Sequence, residues 1–354
     1  MISLRTLYHM MKADYLERIR RYSFLITVLV SIFIVYKFLP ASDQNYLTLS
    51  LNQIRGVYNS AWVGSTIATL ASLLLCFPAF FLVKNAIERD VQTGVGQIIA
   101  TTPITRWTYI MGKMWSNFVL LMSIVVVLIV SAFAMQLIRG EDYSVNVVNL
   151  LLPFLYSTLP TMALIASIAI LFESIPLLSK GLGNFVYLVL WGFSIKFSTT
   201  ATQSGQDLLG ISPIITRLSS EANARSPQPG GGHISGISPL KGELTTYVWN
   251  GVHWTIGMFL ERYIWLVAAV LIASIASVFF HRFDVTGVAP FHKTRKSSVN
   301  NTKELHSKPE PERWDDIIKL TPYIHSLGRI DSIKILSMEL RIMLKGLRLW
   351  WYLI

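Results

Sequence analysis

The chain has 354 residues, 52% of them hydrophobic and only 14% charged, with a mean hydropathy of +0.49. A soluble domain, whose surface must be largely polar, is excluded by that balance, so a bilayer has to act as part of the solvent. The net charge of +11 would point a soluble protein toward nucleic acid, but the anionic inner leaflet is the more economical partner here and no nucleic acid is expected. The single cysteine, Cys76, excludes an intrachain disulfide and a cysteine-based metal cluster.

Residues 1–21 place Leu4, Leu7, Tyr8, Met11, Tyr15 and Ile19 at spacings of three and four, with Arg5, Lys12, Glu17, Arg18, Arg20 and Arg21 mostly elsewhere. This predicts an amphipathic helix in the membrane interface. A cleavable signal peptide is not expected, since the first strong apolar run begins only near Tyr22. Six spans follow within residues 22–281, about Tyr22 to Leu39, Ala61 to Val83, Met114 to Leu137, Leu150 to Phe172, Leu182 to Phe197 and Tyr263 to Phe280. Pro153 and Pro160 invite kinks in the fourth. The fold class expected is therefore all-α, a polytopic membrane protein of about six spans.

Most of the 31 lysines and arginines fall in segments 1–21, 84–113, 173–182 and 282–354, which places both termini in the cytoplasm. The outer segment, about residues 198–260, predicts a small cap with a short helix opened by Ser212 and Pro213 and a flexible tip at Pro227 to Gly232. After a polar linker, residues 282–354 close on an amphipathic stretch from Asp331 to Leu344 and then Leu349 to Ile354. That ending reads either as a second interfacial helix with the start of a further span, as in a half-length permease, or as an aromatic interface anchor at Trp350, Trp351 and Tyr352.

The most informative stretch runs from Glu88 to Lys113. A charged exit (Glu88, Arg89, Asp90) leads to Thr93, Gly94 and Gly96, and then a short helix of about Val91 to Thr101 with Val95, Ile98 and Ile99 on its apolar side. Thr102 and Pro103 break it, and Thr105 caps the next helix through Arg106, Gly112 and Lys113. An ordinary loop with Arg106 and Lys113 as positive-inside anchors is the plain alternative.

The pattern resembles the signature of permeases in the type-2 ATP-binding-cassette export family: acidic residues, a glycine, an aliphatic pair, Thr-Pro, a nearby arginine and Gly-Lys. The chain departs from it in having Gln92-Thr93-Gly94-Val95 where many members have Gly-Thr. The resemblance extends to the interfacial helix, the span count, the outer cap and Phe280 to Asp284. It implies an exporter permease powered by a separate ATPase subunit and paired with a second permease bundle. The short helix would dock in a groove of the ATPase, with Glu88 and Asp90 making polar contacts to the ATPase or the interfacial helix. Gly94 and Gly96 would permit close approach, and Arg106 and Lys113 would hold the loop to the headgroups or the interfacial helix.

The chain carries no catalytic residues, metal site or cofactor by this reading, and ATP belongs to the partner. Gly112-Lys113 is followed by Met114 and lacks the earlier glycine of a phosphate loop, and the seven histidines lack metal-ligand spacing. No span carries a central charge, which disfavours an ion-coupled carrier or a membrane-embedded enzyme. A nonenzymatic scaffold is the alternative that remains. Glu173, Lys196, Glu261 and Arg262, at span ends, are expected to snorkel or pair at the interface, and Asn117 and Asn184 to bond between helices.

Overall fold

The computed structural model describes residues 4–41, 44, 46–51, 54–179, 181–200, 207–225, 234–239 and 245–280. The expected flexible tip, the stretch after Phe280 and the tail of residues 282–354 lie outside the described residues.

The chain begins with α1 (Leu4–Ile19) and α2 (Tyr22–Phe38), bent by 71° at the arginine pair between them. A hairpin of short strands, β1 (Tyr46–Leu51) and β2 (Ile54–Gly56), precedes α3 (Ser60–Leu70), whose first turn is capped by Asn59 accepting from the Trp62 amide at 2.9 Å. A π-helical turn at Ala71–Leu75 joins α3 to α4 (Cys76–Val83). Pro78 offers no N–H to the turn before it, and the indole Nε1 of Trp191 donates instead to the Leu73 carbonyl at 2.9 Å.

Two short helices, α5 (Ala86–Gln92) and α6 (Val95–Thr101), lead into the 34-residue α7 (Arg106–Arg139). Next come α8 (Val147–Pro153), a second π-helical turn at Phe154–Thr158, and α9 (Leu159–Ser174). The proline kink expected in this span is therefore a wide turn between Pro153 and Pro160. The remaining helices are α10 (Gly181–Thr200), α11 (Ser212–Arg225) and α12 (Ile256–Phe279).

Among the described residues, four helical stretches are long and apolar enough to cross a bilayer: Ser60–Gln92, Arg106–Arg139, Val147–Ser174 and Ile256–Phe279. The bent pair of α1 and α2 makes a fifth if taken as one broken span. The sequence expectation of about six counted α10 as well. It forms over 20 residues, but Gly183, Asn184, Gly192 and Lys196 dilute its apolarity. Its outer face still exposes Phe185, Leu190, Phe193 and Phe197, as a lipid-facing helix does.

Packing is centred on α9, most of which is buried, and which lies against α12 and α7. Small residues let these helices approach: Ala163 with Ala269, and Ile170 with Ala273 and Ala276. Two backbones approach closely at Gly64 in α3, where a Cβ would sit 2.6 Å from the Leu150 carbonyl oxygen and 2.9 Å from its Cα. Because the obstacle is backbone, Gly64→Ala is expected to cost about 1–3 kcal/mol. Gly192→Ala, with open space around it, provides the control. Thermal unfolding of the two variants in detergent checks this, and equal melting temperatures would refute it.

The cap contains a four-stranded sheet that the sequence analysis did not anticipate. With β3 (Ile234–Pro239) and β4 (Thr245–Tyr247), the strand order is β3-β1-β2-β4. β1 pairs antiparallel with β2 and with β3, Leu47 opposite Ser238, and β2 runs parallel to β4, Arg55 opposite Thr246. The sheet is tied to the helices below by Arg55, which forks onto Glu141 at 2.5 and 3.1 Å, and by Trp62, whose ring meets Trp249 edge-on at 5.6 Å. The helix expected after Ser212 and Pro213 is α11.

Candidate functional site

Where one short helix of about Val91 to Thr101 is expected, the stretch before Pro103 folds as two, α5 and α6. Asn85 adopts a left-handed conformation (φ 68°) and turns the chain out of α4, and α5 starts at once. The orphan amides of its first turn are satisfied from outside: the Glu173 carboxylate, at the end of α9, accepts from Ala86 N at 3.0 Å and Ile87 N at 2.6 Å. Glu173 is thus a cap for α5, and not the interface residue expected of a span end.

α5 stops at Thr93, and Gly94 takes φ 75°, a conformation that costs a residue with a Cβ about 1–2 kcal/mol. A Cβ at Gly94 would meet nothing within 4 Å, so within this chain the glycine serves the turn and not a close approach. α6 then runs to Thr101, its end bonded by Thr102 Oγ1 to the Ile99 carbonyl at 2.7 Å, and Pro103 prevents its continuation. Thr105 caps α7 as expected, its Oγ1 accepting from the Thr108 amide at 3.2 Å.

At the base of this turn lies a buried charge cluster shared by α1, α5 and α7. Lys113 Nζ donates to Asp14 Oδ1 at 2.8 Å and lies 2.8 and 3.0 Å from the two carboxylate oxygens of Asp90. Tyr109 donates to Asp90 at 2.7 Å and Ser116 to Asp14 at 2.7 Å. Arg89 reaches Asp14 at 2.6 Å, and Arg18 pairs with Asp14 at 3.0 Å while donating to Asn117 Oδ1 at 2.5 Å. Burial would raise the Asp14 carboxyl, but Arg18 and Lys113, with hydrogen bonds from Lys113 and Ser116, overcome it and hold it at about 2.

The predicted site residues separate into three groups. Asp90, Lys113 and Gly112 lie within the cluster's framework, Gly112 beneath the flexible end of Met10. Gly96 is buried in α6, and Thr102 is half-buried at its end. Glu88, Thr93, Pro103 and Arg106 are exposed: Glu88 accepts from Gln92 at 3.2 Å, Thr93 Oγ1 donates to the Arg89 carbonyl at 2.9 Å, and Arg106 opens α7 away from the ion pairs described. Val91, Val95, Ile98 and Trp107 are also exposed, Ile98 at 67%, whereas Ile99 turns inward onto the cluster of Ile87 and Ile110.

Sequence reasoning did not single out Asp14, Arg18, Arg89, Tyr109 or Ser116 as site residues, and it placed Arg18 on the polar face of α1. One signal was available: Asp14 and Arg18 stand four apart, interleaved with the buried-side positions Leu7, Met11 and Tyr15. The interhelical roles expected of Asn117 and Asn184 are seen, Asn184 accepting from Lys84 at 2.5 Å.

A sequence profile described as ABC-2 family transporter protein matches residues 8–227, more than half of the chain, from α1 through α11. No curated protein and no solved structure matches the chain.

Proposed function

The chain belongs to the ABC-2 family of transporter proteins, a transmembrane permease component of ABC transporters, and from that premise we infer that α5 and α6 are the element through which a separate ATPase subunit drives it. The observation carrying this reading is a pairing of features. The turn offers Val91, Val95 and Ile98 outward, and its base is clamped by Asp90 and Lys113 to α7 and, through Asp14, to α1. A push on α6 is then passed to two long elements instead of being absorbed by a loose loop. Exposed apolar residues beside a polar rim suit the groove of a protein partner.

In this reading the α5–α6 side faces the cytoplasm with both termini, ATP is bound and hydrolysed on the partner, and the solute moves outward. The exposed apolar faces of α7, α10 and α12 leave room for a second bundle as well as lipid. The test is Ile98→Asp in the full chain, co-expressed with an ATP-binding-cassette ATPase subunit that co-purifies with the wild type. An anchor side chain of this kind carries about 2 kcal/mol or more, so co-purified ATPase is expected to fall at least about 30-fold. The melting temperature should stay unchanged, because Ile98 is exposed. Undiminished ATPase recovery would overturn the assignment.

A further inference from the structure

We propose that the pocket between the α1–α2 bend and the α4–α5 turn binds an anionic phospholipid, headgroup phosphate in the pocket and one acyl chain in the groove beside α2. The pocket has a volume of about 370 Å³ and is lined by Arg18, Arg21, Lys84 and Arg89 against one carboxylate, Glu88. The carboxylates that pair with those arginines, Asp14 and Glu17, do not line it. Arg18 is 96% buried, and its Nε has no hydrogen-bond partner among the described residues, so a residue lining a cationic cavity carries a buried guanidinium donor without a partner. Phosphate oxygens satisfy such a donor with short charge-assisted bonds.

A second cavity selects a lipid over a soluble anion. A groove of about 250 Å³, almost wholly apolar in lining, runs beside α2 at Val30 and Ile34 and beside the α3–α4 span at Leu74 and Pro78. The headgroup pocket is lined by the next positions on the same two elements, Phe24 on α2 and Phe81 on α4. A phosphate at the bend therefore has an apolar channel of matching direction for its chain. Basic pockets between membrane helices hold lipid headgroups by this combination. The site shares Glu88, Arg89 and Gln92 of α5 with the proposed coupling element but none of the exposed residues of α6, and lipid retention is read separately from ATPase recovery.

Native mass spectrometry of the full chain in mild detergent tests it, titrating phosphatidylglycerol against phosphatidylcholine of the same chains. Wild type is expected to retain phosphatidylglycerol about tenfold better. Arg21→Gln with Lys84→Gln, at the rim and outside the buried cluster, should bring the two lipids to parity. Val30→Trp, which fills the groove and leaves every charge in place, should cut phosphatidylglycerol occupancy at least about fivefold. Inorganic phosphate should not displace the lipid. Equal retention of the two lipids by wild type, or unchanged retention in either variant, overturns the proposal. Inorganic phosphate competing equally in wild type and Val30→Trp would assign the pocket to a soluble anion and overturn it as well.

Discussion

Lys113→Met is expected to cost about 3–5 kcal/mol of stability, the loss associated with removing one partner from a buried charge pair. Lys113 is 3% exposed and is the cation that Asp14 and Asp90 share. Asp14 would keep Arg18 and Arg89, but Asp90 would retain only the Tyr109 hydroxyl among the contacts described, with its charge still buried. Adding Asp90→Asn in the same chain removes that stranded charge and should recover part of the loss, so the two substitutions will be non-additive. Unfolding in detergent measures this; equal and additive costs would refute the shared-cation arrangement.

The pH dependence follows from the Asp14 carboxyl, which folding lowers from 3.8 to about 2. A group lowered on folding contributes stability that is complete above its unfolded value and is lost as pH falls through the folded one. Wild type should therefore show no loss from this group down to about pH 4, then a loss between 3.8 and about 2. With Lys113 gone, the folded carboxyl moves back toward 3.8, so the acid loss from this group becomes smaller and is complete at a higher pH.

Arg262→Met is expected to be as damaging, by about 3–5 kcal/mol. Arg262 lies in α12 at a span end, where snorkelling to the headgroups is the sequence expectation, yet it is fully buried. The cause is the wide turn between α8 and α9. Pro160 supplies no N–H to the Tyr156 carbonyl four residues before it, and Arg262 Nε donates there at 3.2 Å. The same guanidinium donates to Thr161 Oγ1 and the Leu208 carbonyl, each at 2.9 Å, and to the Asp207 carbonyl. It thereby joins α12, the kinked span and the segment leading into α11.

A Cβ at Gly210 (φ 72°) would come within 2.8 Å of Arg262 Nε, so this corner has no slack. Besides a lower melting temperature, Arg262→Met should speed hydrogen exchange at the Leu209 and Ser212 amides, which the Asp207 side chain holds at 3.0 and 2.5 Å. Arg262→Lys should not restore protection, since an ammonium cannot reproduce a planar fork of donors. Full protection in Arg262→Met would sink the account.

Local pattern was sufficient for much of this architecture. Runs of apolar residues longer than a turn of soluble helix can use identify a membrane protein, because the bilayer demands about 20 of them. Proline and threonine chemistry placed the stop at Pro103 and the cap at Thr105, and the acidic-glycine-Thr-Pro pattern named the family that the profile match bears out. The pattern marks Gly94 for a close approach to the partner, and the structure adds a requirement of its own, a left-handed backbone at φ 75°. Even the β1 strand is written locally, Leu47, Leu49 and Leu51 alternating with Tyr46, Thr48 and Ser50 between the first two apolar runs.

What the sequence determined by itself was each element that its own neighbours can specify: helix, break, cap and apolar face. Only the tertiary structure decided which charges go inside. Lys113 and Asp14 are 99 residues apart, Arg262 and Tyr156 are 106, and Asn59 and Trp249, which join the cap to α3, are 190. A charge at a helix end looks the same in sequence whether it faces headgroups or a partner, because the energy that makes burial tolerable belongs to groups that only the fold brings within hydrogen-bond reach.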